Sequence, residues 1–269
     1  MRQLTLMAVH AHPDDEVLGT GGLLARCAAE GIRTVLVTCT NGEQGDDEGG
    51  RKPGEPGHDD AGVARRRLAE LAESARILGI DHVEPLGYRD SGMDGWDANG
   101  HPEAFANLPV ERGAARVAEL IEKYRPQVVV TYDENGGYGH PDHIQAHRVA
   151  VAAVERTGIA DKLYYPAVPR SAVREMGLRM RELGIEGFDE LPDDFGVPDE
   201  MIHAVLDVSE HAGRKFKALE AHASQGDSIF LLRLPEEARQ AMFGSEAFTR
   251  VFSRVDVPER EDDLFTGLR

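Results

Sequence analysis

Three apolar, β-branched runs constrain this chain most, each followed by a polar loop and then by a helical pattern. They are Leu4–His10 (LTLMAVH), Arg33–Thr40 (RTVLVTCT) and Gln127–Tyr132 (QVVVTY), with a weaker strand pattern at His82–Leu86. Helical spacing follows at Leu18–Glu30, at Ala61–Leu78, at Val110–Tyr124 and from Pro141 to about Arg156. In the second of these, Val63, Leu68, Leu71, Ala75 and Leu78 share one face and Gly79 stops the helix. Strands alternating with helices imply an α/β fold, a mostly parallel sheet with helices on both faces. In such sheets ligands bind beyond the carboxyl ends of the strands. The unusual loops, 11–16, 41–60, 87–107 and 133–140, all follow strands and should therefore gather at one edge.

Beyond residue 160 the pattern weakens. Leu163–Val168 and Ile202–Val208 read as strands, Glu210–Ala223 reads as a helix, and 184–200 reads as an irregular insertion. There is no repeat, low-complexity tract or clear linker. Residues 1–269 are accordingly read as one domain, with a core at 1–160 and an extension at 161–269.

The net charge of −18 argues against nucleic acid or an anionic membrane as partner. Much of it is local, in 43–60, 186–200 and 259–263, and solvated loops are the default reading of Asp46, Asp47 and Glu48. No apolar run is long enough to cross a bilayer, and the first residues lack a signal-peptide pattern. Cys27 and Cys39 have no CxxC spacing and suit a core in a reduced compartment. These features point to a cytoplasmic protein; they leave a homo-oligomer open.

Two clusters carry the chemistry, AHPDDE at 11–16 and GHPDH at 139–143, each at the carboxyl end of a strand. His12 and Asp15 are three residues apart on a turn into a helix, and His140 and His143 share that spacing across Pro141. Imidazole and carboxylate ligands with open positions are the pattern of a catalytic zinc site, and two cysteines are too few for a structural one. The clusters hold more polar groups than a metal needs. Asp14 is placed to act as general base, His140 to stabilise an oxyanion, and Asp142 to hold that imidazole charged. The bland alternative makes Asp14 and Asp15 helix-capping acids and His140 an N-cap. Gly19, Gly21 and Gly22 raise nucleotide binding, but HPDDE fills the turn where phosphates would lie, and its carboxylates would repel them.

On AHPDDE with VLGTGG at 17–22, and on GHPDH, the sequence resembles the LmbE-like, or PIG-L (N-acetylglucosaminyl-phosphatidylinositol de-N-acetylase), family. TCTNGEQG at 38–45, YRDSGM at 88–93 and VVVTYDENGGYGHPDH at 128–143 draw it toward the mycothiol-branch deacetylase and S-conjugate amidase. LPEEARQAMFGSEAFTRV at 234–251 is the best match beyond residue 160, whereas Val17–Gly22 departs from the mycothiol pattern. The resemblance implies a Rossmann-like fold and one Zn2+, or another divalent ion such as Fe2+, on His12, Asp15 and His143. It implies Asp14 as base, His140 as electrophilic stabiliser, Asp142 as its partner acid and Tyr138 as a carbonyl-binding tyrosine. Glu43, Arg67 and Asp90 would hold an amino-sugar substrate, with Arg65-Arg66-Arg67 leaving the register open. The implied activity is removal of an acyl group from a small glucosaminide by metal-activated water. The same site would also serve a conjugate amidase or a deacetylase tailoring a secondary metabolite.

Overall fold

The computed structural model describes residues 3–182, 195–225, 232 and 235–269. Strands β1 (Thr5–His10), β2 (Arg33–Thr40), β3 (His82–Tyr88), β4 (Val128–Val130) and β5 (Lys162–Ala167) run parallel. With β6 (Ala204–Asp207) and β7 (Ser245–Ser253) they form one sheet in the order β3-β2-β1-β4-β5-β7-β6, β7 being antiparallel to both neighbours. The mostly parallel α/β architecture expected from the alternating pattern is therefore present.

The period-two geometry of a strand explains the two cores. Leu6 and Ala8 of β1 face a cluster with Leu23, Leu24, Leu71, Leu78 and Leu219, while Met7 and Val9 face one with Val117, Ile121, Val149 and Ala153. Helices α1 (Asp15–Ala29), α2 (Asp60–Leu78) and α7 (Ala212–Ala221) cover the first face, and α3 (Val110–Tyr124) and α5 (Pro141–Thr157), the latter preceded by the short α4 (Gly136–Gly139), the second. Cys27 and Cys39 are buried free thiols, as their spacing suggested.

Sheet order reverses between β1 and β4: the chain moves outward through β2 and β3 on one side, and through β5 on the other. Such a switch point opens a crevice at the carboxyl ends of the two central strands. It lies where the loops carrying 11–16 and 131–143 leave the sheet.

The C-terminal third differs most from expectation. β7 and α6 (Arg170–Glu182) have no counterpart in the sequence reading, and the helix expected at Glu210–Ala223 is preceded by a 3-10 turn at Ser209–His211. Of the insertion expected at 184–200, residues 184–194 lie outside the described residues, and Val197 bridges Pro169. Glu261 fixes this region to the sheet, accepting from Lys162 Nζ (2.6 Å), Tyr164 Oη (2.7 Å) and Arg250. The acidic loop at 43–60 is pinned down, which corrects the solvated reading of Asp47. This carboxylate is buried and accepts from Gly49 N, Arg51 N and Arg51 Nε. Among the described residues no helix is long and apolar enough to cross a membrane.

Candidate metal centre

His12 leaves β1 and His143 sits in the first turn of α5, yet His12 Nδ1 and His143 Nε2 are 3.2 Å apart. Asp15 closes the triangle, with Oδ2 3.3 Å from His12 Nδ1 and Oδ1 3.4 Å from His143 Nε2. Ligands of a tetrahedral cation at about 2.0–2.1 Å stand about 3.3 Å from one another, so each of these separations is compatible with a bound divalent cation, the two Asp15 edges ending on different oxygens. His140 offers a further nitrogen, since ligand atoms of His12, His140 and His143 all lie within 4.8 Å. A second set of donors with the same spread is His12, Asp90 and Asp142.

The groups behind these ligands fix which atoms face the centre. His12 Nε2 points at Asp142 Oδ2 (3.2 Å) and Asp90 Oδ1 (3.6 Å), which keeps its proton there and leaves the Nδ1 lone pair toward the triangle. His143 Nδ1 donates to Gly136 O (3.1 Å), so Nε2 is the free electron pair. Gly136 is at φ 64, and a Cβ there would stand 2.6 Å from His143 Cβ, so only glycine permits this approach. Asp15 Oδ2 accepts from His12 N and from Tyr132 Oη, both at 2.7 Å, and the Tyr132 ring stacks on His143 at 4.2 Å. Burial opposes ionisation of Asp15, but the His143 and His12 rings outweigh it and hold the carboxyl well below its ordinary range. Burial also opposes charging of His12, and Asp90, Asp142 and Asp15 together push it well above its usual value. A site so rich in acidic charge around its imidazoles is one that attracts a cation.

Asp14 has φ 124, a conformation that costs a non-glycine residue about 1–3 kcal/mol and marks a constrained position. Its side chain makes no capping bond to α1, so the bland reading of it as a helix cap does not hold. Burial raises its carboxyl to about 6, against the pull of Arg67 and with the help of Asp15. Arg67 Nη2 donates to Asp14 Oδ2 (3.1 Å) and Pro13 O (2.7 Å), while Nη1 donates to Gly42 O (2.8 Å). Of the three consecutive arginines, Arg67 is the one turned inward: Arg65 and Arg66 have side chains 73% and 40% exposed, and Arg67 only 7%. Arg65→Ala and Arg66→Ala should leave turnover within about twofold, whereas Arg67→Lys, lacking the planar fork, should lower it roughly 10- to 100-fold. Initial rates of the three variants check this.

His140 caps α5, its Nδ1 accepting from Asp142 N (3.1 Å), so the neutral ring carries its proton on Nε2. The cap reading and a site position therefore coexist. The expectation that Asp142 keeps this ring charged is corrected. The buried Asp142 carboxylate turns instead to His12 Nε2, Ser91 N (2.8 Å) and Ser91 Oγ. Burial, then the neighbouring His12 and His143 rings, lower His140 to about 3. Tyr138 stands at the rim, 61% exposed, its ring centroid 5.0 Å from that of His143 and 6.2 Å from that of His140.

Glu43 is buried with Oε2 unpartnered, and burial raises its carboxyl. It lines a polar cleft of about 350 Å³ with Asn41, Arg89, Asn107 and Arg112. Asp90 turns inward, meeting His12, Gly92 N (2.8 Å) and Gln44 N (3.3 Å) rather than that cleft. Sequence reasoning did not single out Tyr132 or Ser91. Both stand in quoted motifs, but nothing local tells which side chain a tyrosine hydroxyl or serine will meet 117 or 51 residues away. Gly22 of α1 serves packing: a Cβ there would lie 2.5 Å from Val208 Cγ2, and Glu246 occupies its N–H at 2.7 Å.

A mostly parallel sheet with histidine and carboxylate donors converging at its switch point, beside a strained carboxylate, defines an α/β protein with a candidate metal site. Within that class the chain belongs to the PIG-L family, GlcNAc-PI de-N-acetylase, whose model matches residues 7–154. It is 42% identical to the 1D-myo-inositol 2-acetamido-2-deoxy-alpha-D-glucopyranoside deacetylase of Acidothermus cellulolyticus, over 98% of this chain and 95% of that one. This bears out the resemblance to the mycothiol-branch deacetylase. Among solved structures it is similar to the N,N'-diacetylchitobiose deacetylase of Pyrococcus horikoshii (19% identity, 92% of this chain, 83% of the other, TM-score 0.56). It is also similar to GalB, the 4-carboxy-2-hydroxymuconate hydratase of Pseudomonas putida KT2440 (21% identity, 95% and 99%, TM-score 0.61). A deacetylase and a hydratase on one architecture show that the fold alone does not choose the reaction.

Proposed function

We propose that the chain hydrolyses the N-acetyl amide of a glucosaminyl-inositol-type small molecule, with a divalent cation, zinc in the first instance, held by His12 Nδ1, Asp15 and His143 Nε2. The observation that carries this reading is the ligand triangle with edges of 3.2–3.4 Å beside Asp14. The family and the name of the Acidothermus relative support the substrate class. When bound, the cation supplies Lewis acidity to the acyl carbonyl and a lowered pKa to the attacking water.

The chain's own groups do the rest. Asp14 Oδ2 is held by Arg67, leaving Oδ1 to take the proton from water as it attacks and to return it to the departing amine. His140 presents Nε2–H to the developing oxyanion as a neutral donor, since Nδ1 is engaged by Asp142 N. Asp142, Asp90 and Tyr132 orient the ligands, and Arg67 orients the base. The cleft at Glu43 takes sugar or inositol hydroxyls, where an unpartnered carboxylate oxygen gains most from a hydroxyl donor. Tyr138, at the rim, closes on the acyl side.

Amine release from three amides tests this reading: N-acetylglucosaminyl-inositol, free N-acetylglucosamine, and a bulky cysteinyl amide of glucosaminyl-inositol. The expected order has the first cleaved at least about tenfold faster than either of the others, a difference of about 1.4 kcal/mol in the transition state. Preference for the cysteinyl amide would instead make the chain a conjugate amidase, and cleavage of none would end the reading.

A further inference from the structure

The best-defined polar cluster with no part in the scheme above lies directly beneath Asp14. Glu16, in the first turn of α1, is fully buried, and so is His222, which caps the C-terminus of α7. His222 Nε2 donates to Glu16 Oε1 at 2.7 Å, and Ser74 Oγ of α2 donates to the same oxygen. The other oxygen, Oε2, accepts from the backbone N–H of Asp14 at 2.9 Å. One buried carboxylate thus joins three elements, α1, α2 and α7, and spends its second oxygen on the peptide of the strained residue. His222 Nδ1 is buried without a partner, so the ring is committed to Glu16 alone.

Two grips hold the Asp14 backbone away from its relaxed conformation. Arg67 holds Pro13 O and Asp14 Oδ2, and Glu16 holds Asp14 N–H. A φ of 124 persists in a non-glycine residue only where its surroundings over-determine it. Glu16 does so only if its own carboxylate is held, and among the described residues its side-chain holders are Ser74 and His222.

We propose that Glu16 and His222 are positioning residues for Asp14: the C-terminal third of the chain reaches the general base through this pair and sets its aim. This rests on the hydrolytic reading given above. It assigns to the region after residue 160 a task in the reaction, at a distance of 206 residues in sequence. Phenylalanine at 222 fills the ring's space and removes the donor. Glutamine keeps a donor for Glu16 Oε1.

The test is a double-mutant cycle on the metal-loaded protein, with kcat, KM, metal content and thermal midpoint measured for each variant. His222→Phe should lower kcat roughly 100-fold, the usual cost of misplacing a catalytic group by about 1 Å, with KM and metal content within about twofold of the parent. His222→Gln should recover at least about tenfold of that loss. In the Asp14→Ala background, where no base is left to aim, His222→Phe should change the residual kcat by less than about threefold. Equal losses in both backgrounds, or a loss in KM or metal content instead of kcat, would overturn the proposal and leave the pair a packing feature. If His222→Phe does not fold, His222→Gln and Ser74→Ala run through the same cycle decide it, each expected to lower kcat only where Asp14 is present. Full activity in Asp14→Ala alone would instead refute the hydrolytic reading itself.

Discussion

Asp14→Ala is expected to lower kcat by about three orders of magnitude while leaving one metal ion per chain. Positioned general bases are worth typically about 10²–10⁴-fold, and the role proposed for this one is both to accept the proton of water and to return it to the amine. A thousandfold loss is about 4 kcal/mol of transition-state stabilisation. Metal content should hold because Asp14 is no corner of the triangle formed by His12, Asp15 and His143. Alanine keeps the hold of Glu16 on the residue-14 N–H and of Arg67 on Pro13 O, so the backbone stays in place while Arg67 loses one partner. Stability should therefore be kept or slightly lowered as activity falls. Turnover and metal analysis on the same sample check both halves; loss of metal together with activity would make Asp14 a ligand instead.

Asp15→Ala and His140→Ala should separate cleanly. Groups that merely orient metal ligands typically contribute about 10- to 100-fold in affinity, so deleting a ligand should cost more than 100-fold. Asp15→Ala should then be metal-free after dialysis and inactive. His140→Ala should keep its metal and lose roughly 100- to 1,000-fold in kcat, the range for one oxyanion donor. The opposite pattern would select the set of His12, His140 and His143 as the binding triad. The distinction matters because three neutral imidazoles and an Asp-containing set place different charge on the same cation.

The parts of this molecule legible in its sequence are those that local pattern controls. β1, β2 and the helices flanking them announce themselves because a strand buried on both faces must be apolar throughout, and an amphipathic helix must repeat its apolar positions. The meeting of His12 with His143 was legible for a topological reason: parallel strands send their loops to one edge. β7 was not. Its residues Ser245–Ser253 alternate poorly, because this strand is held by pairing on both sides rather than by a uniformly apolar face. Nor could the partner of Asp142 be read. Its neighbour in sequence is His140, yet helix geometry gives that ring the Asp142 N–H and turns the carboxylate to His12 and Ser91. Asp47 was misjudged for a related reason, since a charge run looks solvated until a nearby arginine, here Arg51, folds back on it. Tyr132, Glu16 and His222 share one lesson: a polar side chain buried by tertiary packing leaves no periodic mark on the sequence.

The most direct test of a metal-dependent deacetylase is acetate release from N-acetylglucosaminyl-inositol by the same preparation as purified, after stripping with a chelator, and after return of zinc or ferrous iron. Stripping should bring the rate to background, and one equivalent of metal per chain should restore it. A stripped protein that retains full activity, or a metal-loaded one that releases no acetate, would contradict the assignment of His12, Asp15 and His143 as the centre of the reaction.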